Sequence, residues 1–225
     1  MSLPISLLPS LPAKNFQEHL DLVRSIGGEL DELQVDLVDG LFAPMVSWPC
    51  NELDPHEELM RLKEFPTYLK LEMDCMVYEP EQYLNVFIEL NVSKVIIHFG
   101  STKYYRAIIK KLHGYDIEVG LAFTNDVVIN ELRELIEQFD FVQVMGIKSV
   151  GSQGQPFDQR TLKTIKIIRT SYPDMTIAVD GAVNHETIPL LRGAGANRFA
   201  PGSAIATASD PQAAYRALLN LAIGG

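Results

Sequence analysis

The chain has 225 residues, 47% of them hydrophobic, and a formal net charge of −10. It can bury one large core, and it repels a polyanion overall, which argues against nucleic acid as a partner but not against a small phosphate held by backbone amides. Two cysteines, Cys50 and Cys75, offer neither metal-ligand spacing nor a disulfide framework, and no apolar run reaches about 18 residues, so a reducing, cytoplasmic setting without a membrane span is expected.

In chain order, β-rich runs fall at 5–8, 32–36, 68–74, 94–98, 118–121, 141–145, 176–179 and 198–200. Helix-like segments follow them near 15–26, 56–64, 80–89, 103–113, 128–137, 158–171, 184–192 and 210–221. Pro80 suits a first helical turn, Asn184 and Asp210 suit N-caps, and Gly27-Gly28, Gly114 and Gly193 suit helix ends. Eight βα units without a linker predict an α/β fold, a single (β/α)₈ TIM barrel over residues 1–225. The longest loops after strands span 40–55 and 146–157, and in this fold such loops build the active site.

Acids close three of the strand-like runs: Asp36, Asp74 and Asp180. Carboxylates converging at strand ends imply a cation, a shared proton or an acid/base pair. Gln34 shares a strand face with Asp36, and Lys70 and Glu72 share one with Asp74, because side chains alternate along a strand. Lys70 is therefore expected to supply a positive charge or to pair with an acid lower in the barrel. Three glycine-bearing loops, Gly151-Ser152-Gln153-Gly154, Gly181-Ala182 and Gly202-Ser203, can bring bare backbone N–H groups to a phosphate.

Taken together, these blocks are similar to the ribulose-phosphate 3-epimerase family, the ribulose-phosphate-binding type of barrel. The resemblance runs through Ser6-Leu7-Leu8, Val35-Asp36-Leu37-Val38-Asp39-Gly40-Leu41-Phe42-Ala43-Pro44, Met76 and Val144-Met145. It continues through Gly154-Gln155-Pro156-Phe157, Val179-Asp180-Gly181-Ala182-Val183-Asn184 and Gly202-Ser203-Ala204-Ile205. It implies inversion of carbon 3 of a ketose phosphate, with Asp36 and Asp180 as the acid/base pair, a metal-stabilised enediolate, and a homo-oligomer. Ser6, Met76, His98 and Met145 are expected to contact the substrate, and the three glycine loops to take its phosphate.

The family's metal ligands fall on Gln34, Asp36, Asp74 and Asp180, and two of them depart from its pattern. Histidine is expected at 34 and at 74, where this chain has an amide and a carboxylate. The resemblance then implies a weakened or retuned site for a divalent ion such as Mn²⁺, Mg²⁺, Zn²⁺ or Fe²⁺, with an all-oxygen set favouring hard cations. The alternative is a catalytically silent barrel that binds a phosphosugar for regulation or scaffolding. A related lyase reading needs an Asp-x-Lys-x-x-Asp run, and Asp36-Leu37-Val38-Asp39 lacks the lysine.

Overall fold

A computed structural model describes residues 3–11, 13–151 and 154–224. Its parallel strands are β1 (Ser6–Leu7), β2 (Ser10–Leu11), β3 (Glu32–Val38), β4 (Lys70–Met76), β5 (Lys94–His98), β6 (Glu118–Phe123), β7 (Phe141–Met145), β8 (Thr176–Asp180) and β9 (Arg198–Ala200). Each of β3 to β8 pairs with the next in sequence, while β1 pairs with β9 and β2 with β3. Since β1 and β2 are successive pieces of one extended run, their two partners close the sheet into the expected barrel.

Strand parity sorts the side chains. Leu33, Val35, Leu37, Met73, Val95, Ile97, Val142, Val144, Ile177, Val179 and Phe199 face outward and join the helices in one continuous core. Ile96, Ala122, Phe141 and Ala178, from positions of opposite parity, fill the barrel interior as a separate cluster. This period of two leaves the even positions of β3 and β4, Gln34, Asp36, Glu72 and Asp74, pointing inward and buried.

The interior charges near the strand starts are met by Arg198 and Lys94. Arg198 donates to Glu72 and reaches Glu32 at 2.7 Å, and Lys94 reaches Glu32 at 2.8 Å. Lys70, expected in this role, is exposed at the start of β4. The strands are staggered: Lys70 lies level with Glu32, whereas Lys94, the first residue of β5, lies level with Glu72, two residues further into the barrel.

Helices α1 (Phe16–Ile26), α2 (Pro55–Leu59), α3 (Leu84–Glu89), α4 (Tyr105–His113), α5 (Arg133–Ile136), α6 (Arg160–Ser171), α7 (Thr187–Ala194), α8 (Ser203–Ala206) and α9 (Pro211–Ile223) surround the sheet. Asp210 caps α9 by accepting from Ala213 N, and Gly27 and Gly114 end α1 and α4 as expected. Asn184 accepts from the N–H groups of Glu186 and Thr187, in the turn before α7. Helix α7 does not stop at Gly193; it runs to Ala194 and is terminated by Gly195, whose φ of 115° lies in the region glycine favours. The expected helix at 128–137 is reduced to a 3₁₀ turn at Ile129–Glu131 and the four-residue α5.

On α1, His19 is fully buried against the Trp48 indole, 5.4 Å between ring centres, and neither ring nitrogen has a hydrogen-bond partner. Burial holds its pKa down at about 3, from 6.5. The unfolded chain therefore binds a proton that the native state refuses. The stability is intact above pH 6.5 and is lost as pH falls toward 3, at up to about 1.4 kcal/mol per pH unit. His19→Leu, which removes both unpaired nitrogens, is expected to flatten this dependence. Urea unfolding at pH 7 and pH 5 checks it, and an unchanged slope in the variant contradicts it.

Candidate active site

The carboxyl ends of the strands open into a cavity of about 630 Å³ lined by Ser10, Asp36, Met76 and Asp180, together with Gly151, Gly154, Gly181, Ala182, Gly202 and Ser203. Every described residue of the three glycine loops thus reaches the same space as the two acids. Ser152 and Gln153 lie outside the described residues.

Asp36 and Asp180 come from β3 and β8, with β9 and the first strand run between them. Ser10 sits in that gap and its hydroxyl donates to Asp180 Oδ1 at 3.3 Å. The serine expected at the site was Ser6. Ser6 is paired with Arg198 near the opposite end of the barrel, because the first run extends to Leu11 and its carboxyl-end serine is Ser10. A Pro-Ser pair at 9–10, ahead of a helix, was the available signal.

The position of Asp180 depends on Gly146, which sequence reasoning missed. Gly146 N donates to Asp180 O at 2.6 Å and Gly146 O accepts from Asp158 N at 2.8 Å. A Cβ at 146 would lie 2.1 Å from Gly181 O, so only glycine allows this backbone approach. Asn125 ties down the neighbouring turn, donating to Met145 O at 3.0 Å. The 146–157 loop in turn crosses toward β3, where Gly151 packs close to Val38 and Ala43.

Beneath the cavity lies a buried polar cluster centred on Asp74. Its Oδ1 meets His98 Nε2 at 2.7 Å, and its Oδ2 accepts from Gln143 Nε2 at 2.8 Å and from Gln34 Nε2 at 3.4 Å. Gln34 Nε2 also donates to Asp36 Oδ1 at 2.9 Å. His98, Gln34, Asp74 and Met145 are all buried and do not line the cavity, whereas Met76 does. Gln143 was not anticipated, although its place two residues before Met145 put it on the inward face. Trp48 also stays away from the site: it is buried, donates to Glu58 at 3.0 Å and anchors the loop after β3.

Burial, reinforced by the charges of Asp180 and Asp74, raises the Asp36 carboxyl well above its ordinary value of 3.8, and the Gln34 hydrogen bond only partly offsets this. Burial and the Asp74 charge raise Asp180 to about 7, against the opposing pull of Gly181 N–H and Ser10. Two acids facing one cavity with elevated pKa values hold a proton between them near neutral pH, the condition for one to act as base while the other acts as acid.

The residues at the four metal positions do not fit a divalent ion. Only Asp36 and Asp180 face the cavity. Gln34 turns its amide nitrogen, which has no lone pair for a metal, toward both neighbouring acids. Among the described residues, no group of three or more His, Cys, Asp or Glu side chains is arranged to hold a metal ion.

A parallel barrel with paired acids and glycine loops around one cavity at its carboxyl end has the layout of a TIM-barrel enzyme site. The family model for the ribulose-phosphate 3 epimerase family matches residues 6–206. The chain belongs to that family, whose named members are carbohydrate-phosphate epimerases. It is 28% identical over 220 residues to the ribulose-phosphate 3-epimerase of Schizosaccharomyces pombe, covering 95% of this chain and 92% of that one. Its fold resembles 3-hexulose-6-phosphate synthase from Salmonella typhimurium (TM-score 0.75, 14% identity, 97% and 99% of the two chains). It also resembles KGPDC from Streptococcus mutans, solved in complex with a phosphorylated pentose (TM-score 0.73, 16% identity, 96% of both). Among the described residues, no helix is long and apolar enough to cross a membrane.

Proposed function

We propose that this chain inverts carbon 3 of a ketose 5-phosphate, ribulose 5-phosphate being the first candidate, by proton transfer between Asp36 and Asp180. The observation that carries the reading is that two electrostatically linked acids line one cavity with the glycine loops.

In the forward direction, one ionised carboxylate takes the proton from carbon 3, and its electron pair delocalises onto the carbonyl oxygen at carbon 2 as an enediolate. The second carboxyl, protonated at the start, returns a proton to carbon 3 from the other face. The pair ends with its protonation states exchanged, so the total proton count is unchanged and the reverse reaction starts from the complementary form. Backbone N–H groups of Ala182, Gly202 and Ser203, with those of Gly151 and Gly154, hold the phosphate, while the Gly181 N–H is engaged by Asp180. Ser10 keeps Asp180 oriented, and Met76 covers the sugar carbons. The metal-assisted form of the reaction, implied by the resemblance, is not supported by the donors at 34 and 74. Cytoplasmic location remains part of this proposal on the cysteine usage, and homo-oligomer formation on the resemblance alone.

Incubation with ribulose 5-phosphate in D₂O, followed by NMR, tests the reading. Loss of the carbon-3 proton signal with appearance of xylulose 5-phosphate is expected. Phosphosugar binding without exchange would favour the silent barrel, a reading motivated by the withdrawal of Gln34 and Asp74 from the cavity.

A further inference from the structure

We infer that this site takes no divalent ion, and that Gln34, His98 and Gln143 form with Asp74 a hydrogen-bonded platform that positions Asp36 at the cavity. The inference concerns the same site as the proposed epimerase, but the binding part of it stands whether or not that reaction occurs.

The geometry around Asp74 is the first argument. Three donors from three different strands, β3, β5 and β7, converge on its two oxygens. A carboxylate offers roughly four lone-pair directions, so most of its capacity is already spent within the barrel wall. Releasing it toward a metal would leave the buried Gln143 amide and the His98 ring without their shared acceptor, and buried donors without partners are costly.

Gln34 supplies the second argument. One amide nitrogen bridges Asp36 and Asp74, and the carbonyl oxygen of the same amide is buried with no partner. Metal ligation would require the amide to flip. That would forfeit two hydrogen bonds to carboxylates, the stronger kind, and set a carbonyl oxygen against two acidic oxygens. The arrangement is self-consistent with nitrogen toward the acids, and it explains why an amide and a carboxylate occur together at 34 and 74. The amide is the donor for the carboxylate.

The third argument is electrostatic compensation. Glu72 and Glu32 are neutralised from below by Arg198 and Lys94. Asp74 keeps its charge but is hydrogen-bonded within the wall by its three donors, which leaves Asp36 and Asp180 as the pair at the cavity. Gln34, His98 and Gln143 are positioning residues in this scheme, since none of them lines the cavity.

The test uses the full chain after treatment with EDTA. Bound Mn²⁺ is followed by the loss of the free-ion signal in electron paramagnetic resonance near neutral pH, with and without ribulose 5-phosphate. No binding is expected up to about 1 mM, the threshold of very weak association. Carbon-3 exchange is expected to change less than about twofold with EDTA or added Mn²⁺, a difference under about 0.5 kcal/mol. Gln34→His combined with Asp74→His, which places two imidazole nitrogens beside Asp36 and Asp180, is expected to gain binding of Mn²⁺ or Zn²⁺. One tightly bound Mn²⁺ per wild-type chain, lost in Asp74→Asn, would overturn the inference, as would exchange abolished by EDTA and restored by Mn²⁺. Absence of exchange under every condition, with no Mn²⁺ bound, removes the epimerase reading and leaves the metal-free platform standing. Gln143→Leu supplies a readout that a merely structural role would not move. With Asp74 partly released, the pH profile of exchange shifts while phosphosugar affinity stays within about threefold; unchanged pH dependence counts against the positioning role.

Discussion

Asp180→Asn is expected to lower carbon-3 exchange by about 10³-fold, within the range that a positioned acid/base group supplies, and at the same time to stabilise the fold above neutral pH. The two effects share one cause. Burial and the Asp74 charge raise the Asp180 pKa from 3.8 to about 7, so the native state binds its proton more tightly than the unfolded chain does. Stability from this group is present below pH 3.8 and is lost as pH rises through about 7. Asparagine cannot ionise and escapes the penalty. At about 1.4 kcal/mol per pKa unit, the gain at pH 8 is a few kcal/mol, and it vanishes near pH 4. Urea unfolding at the two pH values checks this. Equal stability of variant and wild type at pH 8 would mean that Asp180 is not held against its own charge. In the wild type, the singly protonated pair is the working form. Exchange therefore rises with pH as the first proton leaves near pH 7 and falls again at higher pH as the second is lost. The two limbs belong to the pair rather than to either residue.

Gly146→Ala is expected to cost about 3 kcal/mol or more, the upper range for forcing extra volume into a packed site, and to remove exchange in whatever fraction still folds. The added methyl would lie 2.1 Å from the Gly181 carbonyl oxygen, a backbone atom that cannot rotate away. Relief requires moving Gly181 and the adjoining end of β8, which carries Asp180 and the Gly146 N to Asp180 O bond. Gly193→Ala is the control. Nothing lies within 4 Å of a Cβ there, and in the last turn of α7 alanine gains up to about 1 kcal/mol over glycine. Thermal unfolding of the two variants should therefore move in opposite directions. A mild effect at 146 would show that the strand ends have slack, and the positioning argument for Asp180 would fail.

These expectations separate what was legible in the residue order from what was not. Alternation along 32–36 and 68–74 already placed Gln34 with Asp36, and Glu72 with Asp74, on a common strand face, and the glycine loops pointed to backbone N–H groups able to meet a phosphate. The first strand was harder. Its run is split into Ser6–Leu7 and Ser10–Leu11, so a short apolar stretch could not tell which serine stood at the carboxyl end. Partners across the barrel were also hidden. Asp74 and Gln143 are 69 residues apart and meet only because β4 and β7 face each other across a closed sheet. Lys70 has the inward parity of Glu72, but parity does not say how deep a residue lies, and the cations that make the buried pairs are Arg198 and Lys94.

By itself the sequence determined the eight-unit barrel, the carboxyl-end acids Asp36 and Asp180, and the glycine loops beside them, because strand alternation and turn chemistry are local properties written residue by residue. Only the tertiary structure decided that Asp74 is bonded into the wall rather than presented to the cavity, that Ser10 and Gly146 set the position of Asp180, and that Gln34 faces two acids with its nitrogen. Those outcomes depend on which strands meet when the sheet closes and on how the buried polar atoms are then satisfied, and closure brings together residues that no local pattern connects.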